Sequence, residues 1–529
     1  MSSLPSYTVR TATSLNTALA RSTGTRIVLG ASIPVSTEIT IPDRHTIVTG
    51  GYGFQKQGSG RINFHGTLED EHRQVFFGFN PGDVTGLFRS QVARPVWWGA
   101  YARTAHLPAS NADTRDDIGI NCAIQSVPVD NAIGRKVVLD TGAYHVGRPI
   151  DISGRNILLE GAGPSRSHIS TTSFWTTDWK TDPMYGASSH GAVIWVGSSS
   201  AASVSSFNSS VRGVHVNGYY AATAVANASK RVSGISSYGW MEEHTAIEDV
   251  TIEYFSGYGV GCTSKPGMLR VMNGFALRKF WITGGLRVDC CPIAIGEHSA
   301  AASVRDGTID MNPGIGDQAR PVVRTAIWAQ GQHTIIENIH VEWVRNAVLV
   351  RGGVTGLEPQ GQSVEIRGVD LLYGVDHDMA QTGRSNPVTT TQLPVYSPTS
   401  TDYDDIFKWS TVLVIAGSYS DLNPYSLIGR NGTNTGVAEP IAYHPRVVAS
   451  SLSGNLMKYL VRDYGMGQHI QAWRTEQLGA HYGMIARYVR SNVYATGATA
   501  VPYWEPSVPG GPRPIGTFPT DKTYVEKVI

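Results

Sequence analysis

Three short apolar segments of similar make-up each end in a carboxylate. Glu253 follows Ile247 to Ile252, Asp310 follows Val304 to Ile309, and Glu342 follows Ile336 to Val341. Paired carboxylates suit glycoside hydrolysis, in which one is held protonated as the acid and the other ionised as nucleophile or base. If the segments stack one upon the next, Asp310 and Glu342 fall on consecutive coils about 5 Å apart, a separation typical of retaining glycosidases. Glu253 then lies farther off, nearer the inverting range. These three are the expected catalytic residues. Trp281, in the same series, offers an apolar platform to a sugar face, and His340 and Asp370 complete the expected substrate-binding set. The competing reading is that outward columns of a stacked fold are polar for solubility.

Other polar clusters carry less. Asp376-His-Asp378 has metal-ligand types but follows Gly374, where a solvated turn is the simpler reading. His333, Glu337 and His340 share a strand, whose alternation sends them in different directions. Glu242-Glu243, beside Trp240, are reserve carboxylates or a charged turn. A lyase would need a base, for which His340 beside Asp370 is available, but no Asp cluster suggests calcium. No cofactor and no metal are expected.

Such residues must be positioned by a repeat, and one is visible. Val211-Arg-Gly-Val-His-Val216, Ile247-Glu-Asp-Val-Thr-Ile252, Leu277-Arg-Lys-Phe-Trp-Ile282, Val304-Arg-Asp-Gly-Thr-Ile309, Ile336-Glu-Asn-Ile-His-Val341 and Ile366-Arg-Gly-Val-Asp-Leu371 share a pattern. It reads aliphatic, charged, small or polar, apolar, variable, aliphatic, with Gly307 as the one lapse. By subtraction, successive starts are 36, 30, 27, 32 and 30 residues apart. Apolar positions four and six flank variable position five, the period-two signature of a strand with one buried face. A second apolar stretch follows in Tyr258–Cys262, Cys291–Ile295 and Asn346–Val350. Strands at this interval, joined by turns too short for helices, predict a coil whose strands pair with their equivalents above and below.

Composition agrees with an all-β chain of many corners: of 529 residues, 41% are hydrophobic, 16% charged and 58 are Gly. A formal net charge of +1 and the lack of a long basic run argue against nucleic acid. No apolar stretch reaches the roughly 20 residues that cross a bilayer, and no classical export signal is expected near Met1. Cys122, Cys262, Cys290 and Cys291 are too few and too irregular for a disulfide framework, so buried free thiols and synthesis in a reducing cytoplasm are expected.

Upstream, Arg94-Pro-Val-Trp-Trp-Gly-Ala100 precedes Asp113-Thr-Arg-Asp-Asp117, an amphipathic stretch from Ile118 to Ser126, Val137-Val-Leu-Asp-Thr-Gly-Ala-Tyr-His-Val146 and Leu158-Leu-Glu-Gly-Ala-Gly163. With the repeats, residues 90 to 375 resemble the pectate-lyase-like superfamily, particularly its phage tailspike members. Departures are an alanine-poor helix and Ser110-Asn-Ala-Asp113 where Gly-Asp-Gly often precedes the Asp pair. The resemblance implies a single-stranded right-handed parallel β-helix with a small helix capped by the Asp-rich turn. Short β patterns such as Thr25-Arg-Ile-Val-Leu29 and Glu38-Ile-Thr-Ile41 predict a small N-terminal β head, and the Pro/Gly-rich stretch Pro502 to Pro519 an extended C-terminal tail. Expected regions are 1–92 for a head that attaches to the virion or caps the solenoid, 93–130 for neck and capping helix, 131–430 for the β-helix, and 431–529 for trimer contacts and an extended tail. The implied function is a homotrimeric spike of a phage tail, made in the host cytoplasm and held by tail or baseplate proteins through its N-terminal region. It would recognise and depolymerise a bacterial surface polysaccharide. A non-catalytic receptor-binding spike and a polysaccharide lyase are the alternatives.

Overall fold

A half-buried strand must satisfy its backbone on both edges, and here each does so against the same segment of the coils before and after it. The computed structural model describes residues 4–69, 72–86, 92–107, 115–127, 135–182, 186–197, 206–207, 209–225, 229–237, 242–263, 272–287, 289–296, 299–312, 323–351, 364–372, 411–416, 447–454, 459–463, 485–489, 503–507, 511–515 and 524–528. One long parallel sheet takes in Val92–Ala93, Arg135–Val138, Ile157–Glu160, Ser210–Asn217, Ala246–Phe255, Ala276–Gly285, Ser303–Asp310, Ile335–Glu342, Val364–Leu372 and Val447–Gly454. A second runs from Ile150–Asp151 through Tyr258–Cys262, Cys291–Ile295, Val344–Arg351, Tyr459–Asp463 and Ile485–Val489 to Tyr524–Val528, the last pair antiparallel. A third, of short strands, stacks Ser206–Phe207, Glu242–Glu243, Met272–Asn273 and Ser299–Ala300. Each turn of chain visits the sheets in rotation, which makes a right-handed parallel β-helix. The two long sheets continue past residue 430. Ala449 stacks on Ile366, but its segment Ala449-Ser-Ser-Leu-Ser-Gly454 is too poor in aliphatics to be read as a repeat.

The register joins the six repeat starts, Val211, Ile247, Leu277, Val304, Ile336 and Ile366, into one column. All six are buried, as are position four and position six of the repeats wherever a side chain is present. Positions one and four are three apart, and an unbroken strand would send them to opposite faces. The third residue resolves this. Gly213, Asp249, Lys279, Asp306, Asn338, Gly368 and Ser451 all have φ between 52° and 66°, a left-handed bend that shifts the alternation by one. Gly, Asn and Asp reach this region at least cost, which explains the small or polar residues there. Asn338 Nδ2 also donates to Asp306 Oδ1 at 2.8 Å along this column.

Position two forms an outward ladder of charge. Glu160 is bound by Lys136 Nζ at 2.9 Å and by Arg212, Arg305 pairs with Glu337 at 3.3 Å, and Arg367 reaches Glu365 and Glu337. These pairs are largely solvated, so each contributes little more than register preference. The lapse at Gly307 is filled from the coil below. A Cβ built there would lie 2.1 Å from the Phe280 ring, so the large and small residues share one interior slot.

Residues before the main helix also coil. Ser6–Val9, Arg26–Leu29, Thr46–Val48 and Thr67–Glu69 pair in parallel with starts 20, 20 and 21 residues apart by subtraction, and two further short parallel sheets complete the turn. The helix Asp116–Ser126 lies between the two stacks. Asp116 Oδ2 accepts from His145 N and Asp117 Oδ1 from Gly147 N, both at 2.8 Å, while Arg103 and Arg115 pair with the same carboxylates. The middle of the helix meets the earlier stack, where Cys122 Sγ contacts Phe79 O and Phe76 packs on Trp98 with centroids 4.8 Å apart. All four cysteines are buried and free, and burial pushes the Cys122 thiol up to about 12. Among the described residues, Tyr503–Ser507 pairs antiparallel with Gly511–Ile515.

Two substitutions separate the columns. Gly307→Val restores the repeat pattern yet collides with Phe280, so it should destabilise by about 1–3 kcal/mol. Lys279→Gly relieves a left-handed lysine and should stabilise by about 1 kcal/mol. Urea midpoints of the two variants measured beside the parent check both signs.

Candidate functional site

Beyond the bend, positions five and seven point outward. Position five stacks His168, His215, Thr251, Trp281, Thr308, His340 and Asp370, and position seven stacks Ser170, Asn217, Glu253, Thr283, Asp310, Glu342 and Leu372. All six residues singled out for chemistry or sugar contact therefore share one face. Asp310 and Glu342 are register neighbours, on strands about 4.8 Å apart. Glu253 sits two strands below Asp310, with Thr283 between them, so the backbone separates it by about 10 Å.

One cluster centres on His340. Its Nδ1 lies 2.7 Å from Asp370 Oδ2, on the next coil, and its Nε2 lies 2.6 Å from Glu342 Oε1, two residues along its own strand. Carboxylates only accept, so an imidazole between two of them satisfies both by carrying a proton on each nitrogen. Burial opposes that charge, but the hydrogen bonds and charges of Glu342 and Asp370 outweigh it and raise the His340 pKa above its ordinary value. Asp310 Oδ1 accepts from Asn312 N at 2.9 Å, which fixes the carboxyl at the end of its strand. Trp281 is 51% exposed on this face, flanked in register by Thr251 and Thr308. Small neighbours leave its ring surface open.

A second cluster lies lower on the face. Glu253 Oε2 accepts from Asn217 Nδ2 at 3.2 Å and lies 3.2 Å from His215 Nε2. His215 stacks on His168, and His168 on His106, with centroids 4.6 and 4.2 Å apart. Burial first, and then the neighbouring imidazoles, lower His168 to about 4. Tyr219, at the start of the helix Tyr219–Ala224, packs edge-on against Tyr254 beside this cluster. His106 and His168 escaped the sequence reading. The coil that holds His168 is split into Ile157–Glu160 and Ser167–Thr171, which hides its register with the six regular segments.

Another constellation has nucleophilic types but no access. His190 lies 2.8 Å from Ser233 Oγ and 3.2 Å from Asp182 Oδ2, and Tyr258 and Thr263 donate to the same carboxylate. Ser233 and His190 are both 0% exposed. The network therefore ties Lys180–Asp182 to the strands Gly186–Val196, Arg231–Ser237 and Tyr258–Cys262. Glu242–Glu243 form a short strand, but their side chains lie outside the described residues, as does Asp376-His-Asp378. His333 sits at a left-handed corner, while Glu337 and His340 flank the bend at Asn338. Among the described residues no cluster of three or more metal-ligating side chains forms.

No family model and no curated protein matches this chain. Solved structures with a similar chain path include ORF18 of Geobacillus virus E2, at 13% identity and TM-score 0.34, covering 75% of this chain and 61% of that one. The A-module of mannuronan C-5 epimerase AlgE6 from Azotobacter vinelandii is 13% identical with TM-score 0.37, over 74% and 97% of the two chains. A family 28 exopolygalacturonase of Yersinia enterocolitica is 10% identical with TM-score 0.35, over 74% and 77%. This chain thus spans less than two thirds of the viral protein's length.

His340 and His168 should titrate on opposite sides of the ordinary histidine value. His340 should lose its proton above about pH 6.5, and His168 only gain one near pH 4. By linkage, His340 contributes stability that is full below about 6.5 and fades as pH rises through its raised value. His168, depressed, weakens the fold as pH falls from about 6.5 towards 4. Histidine NMR titrations check this, and Asp370→Asn should lower the His340 midpoint while leaving His168 in place.

Proposed function

We propose that the outward face from Glu253 to Asp370 binds a bacterial surface polysaccharide and hydrolyses its glycosidic bonds. The observation that carries this reading is the register pairing of Asp310 with Glu342 on a face that also presents the exposed Trp281. The proton-bearing His340 donates to Glu342, which suits Glu342 as nucleophile or base. Asp310, one strand below, is then the acid, and Trp281 carries a neighbouring sugar ring. Backbone spacing of about 4.8 Å fits the shorter, retaining separation. Glu253, paired with His215, lines the lower end of the face.

The setting we propose is a homotrimeric phage tailspike, attached to the tail or baseplate through its N-terminal region. Its support is the resemblance of residues 90 to 375 to that family. One observation favours a binding-only spike: His340 engages Glu342 and Asp370 together, as a purely structural ion cluster would. Kinetics on the two carboxylates distinguish the readings.

Purified protein incubated with the host polysaccharide should release reducing oligosaccharides that retain the anomeric configuration, without the ultraviolet absorbance of unsaturated ends. Asp310→Asn and Glu342→Gln should each lower kcat by about 10²-fold or more, while Trp281→Ala should chiefly raise KM. Intact polymer would support the binding-only spike, and new absorbance a lyase. Full activity in both carboxylate variants would sink the assignment.

A further inference from the structure

We infer that the glycan recognised by this face is uncharged along its backbone. The inference rests on the reading of the face as a polysaccharide site and goes on to its substrate class. From His168 upward, positions five and seven carry four carboxylates, Glu253, Asp310, Glu342 and Asp370. Among the described residues, neither column holds a lysine or an arginine. The cationic side chains of these strands lie at positions two and three, before or at the left-handed bend. They are Arg212, Arg278, Lys279, Arg305 and Arg367, of which Arg212, Arg305 and Arg367 are paired with Glu160, Glu337 and Glu365.

Recognition of a carboxylate or phosphate calls for guanidinium, ammonium or convergent N–H donors. The three face imidazoles do not meet that need: His168 is buried, and its lowered pKa keeps it uncharged near neutral pH. His340 has both nitrogens against carboxylates, and His215 lies against Glu253. A polymer with one acid group on each repeating unit would set successive like charges against a face on which, among the described residues, carboxyl groups outnumber cations. An uncharged sugar brings the complementary chemistry: hydroxyl donors for the carboxylates and an apolar ring face for Trp281.

The test is an array of purified bacterial surface polysaccharides, half with uncharged repeating units and half bearing uronate, sialate or phosphate. It is probed with the labelled full chain and its Trp281→Ala variant at low salt. Expected is binding that Trp281→Ala lowers at least tenfold and that falls on uncharged polymers, with acidic polymers at least tenfold weaker. Thr283→Lys, which places a cation between Glu253 and Asp310, should raise the signal on acidic polymers several-fold. Trp281-dependent binding equal or stronger on acidic polymers overturns the inference and leaves the glycan site standing. Binding that is absent, or indifferent to Trp281, removes the glycan site and this inference with it.

Discussion

In-register parallel pairing of equivalent residues from coil to coil is the constraint on which this molecule depends. Parallel strands in register place every side chain directly above and below its counterpart, so a choice made at one position is felt along the whole column. Aliphatic residues at positions one, four and six become a continuous interior. A charge at position two meets the charges of its neighbours, and where signs alternate, as from Glu160 to Arg212, they pair. The left-handed residue at position three recurs in the seven coils from Gly213 to Ser451, because one of them that bent elsewhere would break the hydrogen bonds of both neighbours. Lys279 and Ser451 show the demand enforced on residues that would not choose it alone.

Exceptions to the columns are repaired by adjacent coils. Gly307 leaves an interior slot, and Phe280 fills it from the coil below. Buried polarity is handled in the same way, since Asp182 and His190, Ser233, and Tyr258 and Thr263 come from three passes of the chain and satisfy one another. At the entrance to the main helix, Asp116 and Asp117 spend their oxygens on backbone N–H groups of the first coil. These charge-assisted bonds tie the small helix down where a stack would otherwise present an open end.

The same stacking creates the face proposed for glycan binding. His340 and Asp370 are thirty residues apart in the chain but in hydrogen-bond contact, because they share a position on consecutive coils. Thr251, Thr283 and Thr308 separate the lower carboxylate cluster from the upper one and leave Trp281 standing between them. A repeating surface of this kind suits a repeating polymer, and its sign of charge limits which polymers can lie along it.

The sequence by itself determined the main coil and its outward columns, since six segments with period-two apolarity and a recurring start allow one alignment, and the observed register is that alignment. Asp310 beside Glu342 followed directly from it. Other features were not legible. The narrow stack of residues 6–69 has strands of only three or four residues, too short for periodicity to register. The inward pointing of both position one and position four depends on a backbone angle rather than a residue type. The pairing of His340 with both Glu342 and Asp370, and the imidazole stack from His106 to His215, needed side-chain directions set by loops and split strands. Pattern fixes which residues share a column because the column is a backbone repeat, whereas only the folded chain decides which side chains along it turn towards one another.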